Sequence, residues 1–109
     1  MNAQEIAKLL IDARETKQAI DPIRDFIGIG DEEKAYEIQN ILTQHKLDSG
    51  ARIVGKKIGL TTEVVQKQLG ISSPDYGVLF DDMEVLNGLS ISMSKLMQPK
   101  VEALSLIHI

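Results

Sequence analysis

The segment RIVGKKIGL, residues 52 to 60, sets a lysine between two glycines. If this run is a strand, alternate side chains point to opposite faces. Lys57 then shares a face with Gly55 and Gly59, while Lys56 shares the other with Val54 and Ile58. Lys57 stands in a clearing. Glycine weakens a strand, and one reason to find it there is the close approach of a ligand or of another backbone. An ammonium in such a clearing can hold a substrate carboxylate, polarise an enolate oxygen or, when desolvated, move a proton. The alternative is a surface lysine beside a β-bulge. Lys56, a charge on the otherwise apolar face, implies an edge position or a bulge that shifts the alternation.

The other chemistry-bearing residues say less by themselves. On an extended Lys100-Val101-Glu102-Ala103 the Glu102 carboxylate points away from its apolar neighbours. That suits a solvent face or a metal site built from several oxygens, and one acid is not a site. Asp81 and Asp82 are adjacent, so on a strand they diverge and cannot easily grip one ion. His45 extends a helical apolar stripe, with no second histidine at a metal-like spacing, and receives no function.

The elements that must position these groups follow from periodicity and stop signals. Ile6, Leu9, Leu10 and Ala13 recur at helical spacing over residues 3 to 17, opened by an Asn2/Glu5 capping box and ended before Asp21-Pro22. Its charged side, Lys8, Asp12, Arg14 and Glu15, reads as a solvated face. After a turn at Gly28-Ile29-Gly30, Asp31 caps a second helix to Leu47, with Ala35, Ile38, Ile41 and Leu42 as its buried stripe and Asp48-Ser49-Gly50 as its stop. A strand covers Ile53 to Leu60. Thr61 or Thr62 caps a short helix that Gly70 ends. Residues 72 to 75 form a loop, and Val78 to Leu86 reads as a strand. Asn87-Gly88 is a hairpin signal, with Leu89, Ile91 and Met93 on the return strand. Helices precede strands, so the fold class is α+β.

Composition narrows the function classes. A chain of 109 residues, 43% hydrophobic and 26% charged, fits one globular domain with a modest core. A net charge of -4 argues against a protein whose main task is neutralising nucleic-acid phosphates. There is no cysteine, which removes disulfides and thiolate metal sites. The N-terminal region mixes acids and bases from Glu5 onward and lacks the apolar block of a secretory signal, and no apolar run approaches membrane-spanning length. The expectation is a cytoplasmic protein with neither a nucleic-acid nor a membrane partner.

Residues 54 to 83, VGKKIGLTTEVVQKQLGISSPDYGVLFDDM, resemble the 2-keto-4-pentenoate hydratases of the fumarylacetoacetate hydrolase superfamily. The likeness runs through the G-x-K-I-G-L-T element, the V-Q-x-Q-L-G helix, the P-D-Y-G turn and the Q-P-K-V-E-A strand, and it extends over residues 1 to 103. It implies N-terminal helices followed by the first strands of a truncated β-rich fold of that superfamily. It also implies a hydro-lyase that converts 2-hydroxypenta-2,4-dienoate to 4-hydroxy-2-oxopentanoate in aromatic meta-cleavage catabolism, with bound Mg²⁺ or Mn²⁺ and a homo-oligomeric full-length form. Lys57 matches the family's lysine. Asp75 becomes a candidate for assisting proton transfer or orienting water, against its alternative role as a turn residue. Glu102 matches the first acid of the V-E-A-E metal-binding strand, whereas Leu104 stands where the second acid belongs, and another acidic ligand of the family lies farther downstream.

Residues 104 to 109, Leu-Ser-Leu-Ile-His-Ile, match the translation of a transposase mosaic-end adapter. The expectation is therefore a hydratase part over 1–103, inactive by itself, and a non-native tail over 104–109. His108 then has no metal role, the alternative being a genuine apolar strand. Two rival functions remain: 4-oxalocrotonate decarboxylase of the same superfamily, and a non-catalytic module that pairs with a partner through an exposed strand edge.

Overall fold

The computed structural model describes residues 1–103 and, for the backbone alone, 105–108. The chain forms two compact units. The first comprises Met1–Gly50 with Asn87–Pro99, and the second Ala51–Leu86 with the chain from Lys100 onward.

In the first unit, α1 (Ala3–Thr16) begins at the expected capping box. The Asn2 side chain accepts from the Glu5 amide at 2.9 Å, and the Glu5 carboxylate accepts from the Asn2 amide at 2.8 Å. Two N–H groups that a helix start leaves without partners are thereby satisfied. After the four-residue α2 (Arg24–Ile27), Asp31 caps α3 (Glu32–Asp48) by accepting from the Lys34 amide at 3.0 Å. Ala3, Ile6 and Ala7 of α1 pack on Ile38 of α3, flanked by Leu10, Ile23, Ile27, Ile41 and Leu42. The buried stripe of α1 is thus turned toward Ala3 and Ala7, and Leu9 is only half-buried. Ala35, expected inside, is exposed.

Lys34 joins three segments of this unit. Its ammonium donates to the Phe26 carbonyl at 2.9 Å and to the Met1 carbonyl at 3.2 Å. His45 faces Glu15 across the helix pair, Nε2 to Oε1 3.8 Å, a surface role consistent with assigning it no chemistry.

The second unit is built on a three-stranded sheet in the order β2-β1-β3, with β1 (Ile53–Gly59) antiparallel to both β2 (Asp75–Phe80) and β3 (Ser105–His108). β1 is therefore central, which corrects the edge position that Lys56 suggested. The register irregularity lies upstream of both lysines, between Ile53 and Gly55. Between β1 and β2 runs α4 (Glu63–Leu69), where the Thr62 hydroxyl accepts from the Val65 amide at 3.3 Å and Gly70 closes the helix at φ 71°.

Three strand expectations fail, two of them for identifiable reasons. β2 begins at Asp75 and stops at Phe80, because Asp81 turns back onto Arg52 and leads into a 3-10 turn over Asp81–Met83. Gly88 does adopt φ 85°, yet no return strand follows. Leu89, Ile91 and Met93 are exposed, and a 3-10 turn covers Met93–Lys95. Asn87–Pro99 belongs to the helical unit and so has no sheet partner to make its alternation a strand. Residues 100–103, expected as the start of an alternating strand, form no strand.

Ile6 is fully buried at the centre of a small core. Ile6→Ala is expected to destabilise the helical unit by about 2–5 kcal/mol in denaturant titration, through lost transfer energy and an unfilled cavity. A change below about 0.5 kcal/mol, the size typical of surface substitutions, would show that this cluster is not the core.

Candidate functional site

The cross-strand register brings Lys57 and Asp75 together. Lys57 pairs with Gly77, Gly59 with Asp75, and Gly55 with Leu79. Directly paired residues of an antiparallel ladder project to the same side, as do residues two apart along each strand. Lys57, Asp75, Gly55, Gly59, Gly77 and Leu79 therefore share one face. Lys57 and Asp75 are diagonal neighbours, a relation that spans roughly 7–8 Å and lies within reach of a long side chain. Both are exposed, so an ammonium and a carboxylate are presented side by side to whatever meets this face.

The neighbouring lysine serves the other face. Lys56, Ile58, Tyr76 and Val78 lie there, and the Lys56 ammonium sits 5.3 Å from the centre of the Tyr76 ring. A cation over an aromatic face is attracted by the ring quadrupole, which accounts for a charge among half-buried apolar residues. The two adjacent lysines thus have different surroundings, and only Lys57 looks onto the glycine face.

Both ends of the β1–β2 pair are held by polar contacts. At one end the Asp81 carboxylate accepts from the Arg52 amide at 2.9 Å, while the Asp81 amide donates to the Arg52 carbonyl at 2.9 Å. At the other, Leu60 leaves β1 at φ 56°, a left-handed conformation that costs a branched residue about 1–2 kcal/mol. The Gln66 side chain of α4 donates to the Leu60 carbonyl at 2.7 Å and holds that turn. The bend sits next to Gly59, the residue paired with Asp75.

Glu102 is exposed and lies outside any strand. Ser105 pairs with Ile58, so the chain carrying Glu102 enters the sheet from the Gly59 end of β1, the same end at which Asp75 opens β2. As a metal site the described residues do not suffice. Among them no group of three histidine, aspartate or glutamate side chains could hold an ion, and Glu102 alone does not meet the several oxygens that a hard cation takes. Leu104, the position of the expected second acid, lies outside the described residues, as does the side chain of His108.

Sequence reasoning missed Gly77 and Leu60. The P-D-Y-G motif places Gly77 in a turn, although continuing the alternation of β2 backward from Leu79 through Gly77 reaches Asp75. What the sequence lacked was the register that sets Gly77 opposite Lys57. Leu60 carries no signal of its own, since leucine rarely adopts positive φ.

No protein-family profile matches the chain. It is 48% identical over 100 residues to the TodF product hydratase of Pseudomonas putida, covering 92% of this chain and 37% of that protein. To 2-keto-4-pentenoate hydratase 1 of Dechloromonas aromatica it is 45% identical over 103 residues, 94% of this chain and 39% of the relative. To the 2-keto-4-pentenoate hydratase of Paraburkholderia xenovorans it is 47% identical over 100 residues, again 92% and 37%. The chain thus spans well under half the length of the curated relatives it matches. Among solved structures it is similar to the 4-oxalocrotonate decarboxylase of Pseudomonas putida G7 complexed with magnesium and adipate. There the TM-score is 0.78 at 28% identity, over 87% of this chain and 36% of that one. The same decarboxylase complexed with calcium and acetate gives a TM-score of 0.79.

The Arg52 amide holds the Asp81 carboxyl below its ordinary range. The folded-state pKa is lower than the unfolded one, so this contact contributes fully above the unfolded value and is lost as pH falls through the folded value. The Arg52 amide proton should accordingly titrate with a midpoint below the ordinary aspartate value of about 3.9. Asp81→Ala should abolish that titration. A midpoint at or above the ordinary value would contradict the contact.

Proposed function

Because the chain belongs to the 2-keto-4-pentenoate hydratase family, we propose that the whole protein adds water to 2-hydroxypenta-2,4-dienoate to give 4-hydroxy-2-oxopentanoate. The observation that carries this reading is the shared face of Lys57 and Asp75 on paired strands, within the region matched by hydratases. The reaction needs two proton movements and one addition. The dienol loses its C2 hydroxyl proton and gains a proton at C5, giving a conjugated enone. Water then adds at C4, and C3 takes up a proton.

Negative charge gathers on the C2 oxygen in both stages, as the dienolate first and as the enolate after water attack. Lys57, a cation in a cleared position, would stabilise that oxygen or pass it a proton. Asp75, a diagonal neighbour, would accept a proton from water or orient it toward C4. Having donor and acceptor on one rigid sheet face fixes their separation before substrate arrives, which is the main advantage of a strand over a loop for such work.

Glu102 is proposed as one oxygen ligand of a divalent ion, Mg²⁺ or Mn²⁺, the remaining ligands coming from other residues of the whole protein. The similar decarboxylase is complexed with magnesium or calcium, which supports a divalent ion in general. When bound, such an ion would supply Lewis-acid stabilisation of enolate charge. We further propose a cytoplasmic homo-oligomer. Exposed apolar side chains such as Val64 and Leu69 on α4 support the burial of this surface by further protein, and no helix among the described residues is long and apolar enough to cross a membrane.

The likeness to a decarboxylase favours one second reading, release of carbon dioxide from 4-oxalocrotonate. Supplying the whole protein with each substrate separates the two. Loss of dienol absorbance with water uptake is expected, whereas carbon dioxide release in its place would select the second reading. In the hydratase assay, Lys57→Met is expected to lower kcat by about 10²–10⁴-fold with the fold intact, the usual scale for a general acid–base group. Wild-type turnover in that variant would remove Lys57 from the mechanism.

A further inference from the structure

We propose that Gly77 is a positioning residue that fixes where the Lys57 ammonium stands. The inference rests on the catalytic reading of Lys57 and adds to it the feature that directs the side chain. Five other glycines, at 28, 30, 50, 70 and 88, have φ between 71° and 97°, and a Cβ at any of them would meet nothing within 4 Å. They are conformational glycines, selected by backbone geometry with open space around them. Gly77 is the opposite case. It lies inside β2 without a positive φ, so its backbone suits any residue, yet the space a Cβ would occupy is taken.

Lys57 takes it. A Cβ at position 77 would lie 2.8 Å from Lys57 Cε, 3.3 Å from Cγ and 3.6 Å from Cδ. Contacts to three stem carbons mean that the lysine lies down along the cross-strand backbone of Gly77 and does not stand away from the sheet. Gly77 is buried beneath it. This posture keeps the stem on β2, the strand that carries Asp75 two residues away on the same face. To the clearing that Gly55 and Gly59 make along β1, the structure adds a glycine on the facing strand.

A methyl group at 77 and the present lysine posture exclude each other. Of the two, the far end of a flexible side chain yields more readily than the strand. Gly77→Ala should therefore leave the sheet in place and displace the ammonium, and a shift of about 1 Å in a reacting group is enough to cost about 10²-fold in rate. Stability should be unchanged or slightly higher, since alanine restricts the unfolded chain more than glycine does.

The test is a double-mutant cycle in the whole protein, with Gly77→Ala, Lys57→Met and the pair. Gly77→Ala is expected to lower kcat about 10²-fold without lowering the melting temperature, and to cause no further loss in the Lys57→Met background. With ¹³Cε-labelled lysine, it should also move the Lys57 resonance and leave that of Lys56, on the opposite face, in place. Wild-type kcat in Gly77→Ala, an equal loss in both backgrounds, or a collapse of the melting transition would each overturn the proposal. If instead Lys57→Met itself keeps full turnover, the catalytic reading of Lys57 has failed. A moved Lys57 resonance would then still show that Gly77 directs the side chain.

Discussion

The antiparallel register of β1 on β2 is the constraint on which the site depends. Because side chains alternate with a period of two, pairing Lys57 with Gly77 places Lys57, Asp75 and three glycines on one face and sends Lys56 and Tyr76 to the other. A slip of one residue would exchange the two sets, leaving the ammonium and the carboxylate on opposite sides of the sheet. The same register sets the lysine stem over a residue with no side chain, so the shared face and the lysine posture have one cause.

The structure holds that register from both ends. Arg52 and Asp81 exchange two hydrogen bonds where β2 stops, one of them to an ionised carboxylate. At the other end the backbone bends at Leu60 against its steric preference, and Gln66 holds the bent carbonyl. Strain of this kind persists only where neighbouring contacts over-determine the local conformation, and it tends to accumulate beside functional residues. Here it stands one residue beyond Gly59, where β1 meets Asp75 and where the chain bearing Glu102 approaches the sheet.

Much of this could be read from the sequence, and what could not has a common physical origin. The capping residues Asn2, Asp31 and Thr62 mark three helix starts directly, because each cap is a local interaction. The strand over Ile53–Gly59 and the isolation of Lys57 among glycines follow from composition and alternation. The return strand that the alternation of Leu89, Ile91 and Met93 predicts does not form, because alternation makes a strand only where a partner strand exists, and that segment belongs to the helical unit. The union of Lys57 with Asp75 and Gly77 is likewise a matter of pairing. Each residue was visible alone, and the register that joins them is a long-range property. The role proposed for Lys57 therefore rests on resemblance to a family together with its place in the register.

The most direct test of this arrangement is a measurement of register by nuclear Overhauser contacts between backbone protons of β1 and β2. Cross-peaks linking Lys57 to Gly77 and Gly59 to Asp75 are expected. Cross-peaks linking Lys57 to Tyr76 or to Val78 as its direct partner would place the ammonium and the Asp75 carboxylate on different faces, and the site described above would not exist.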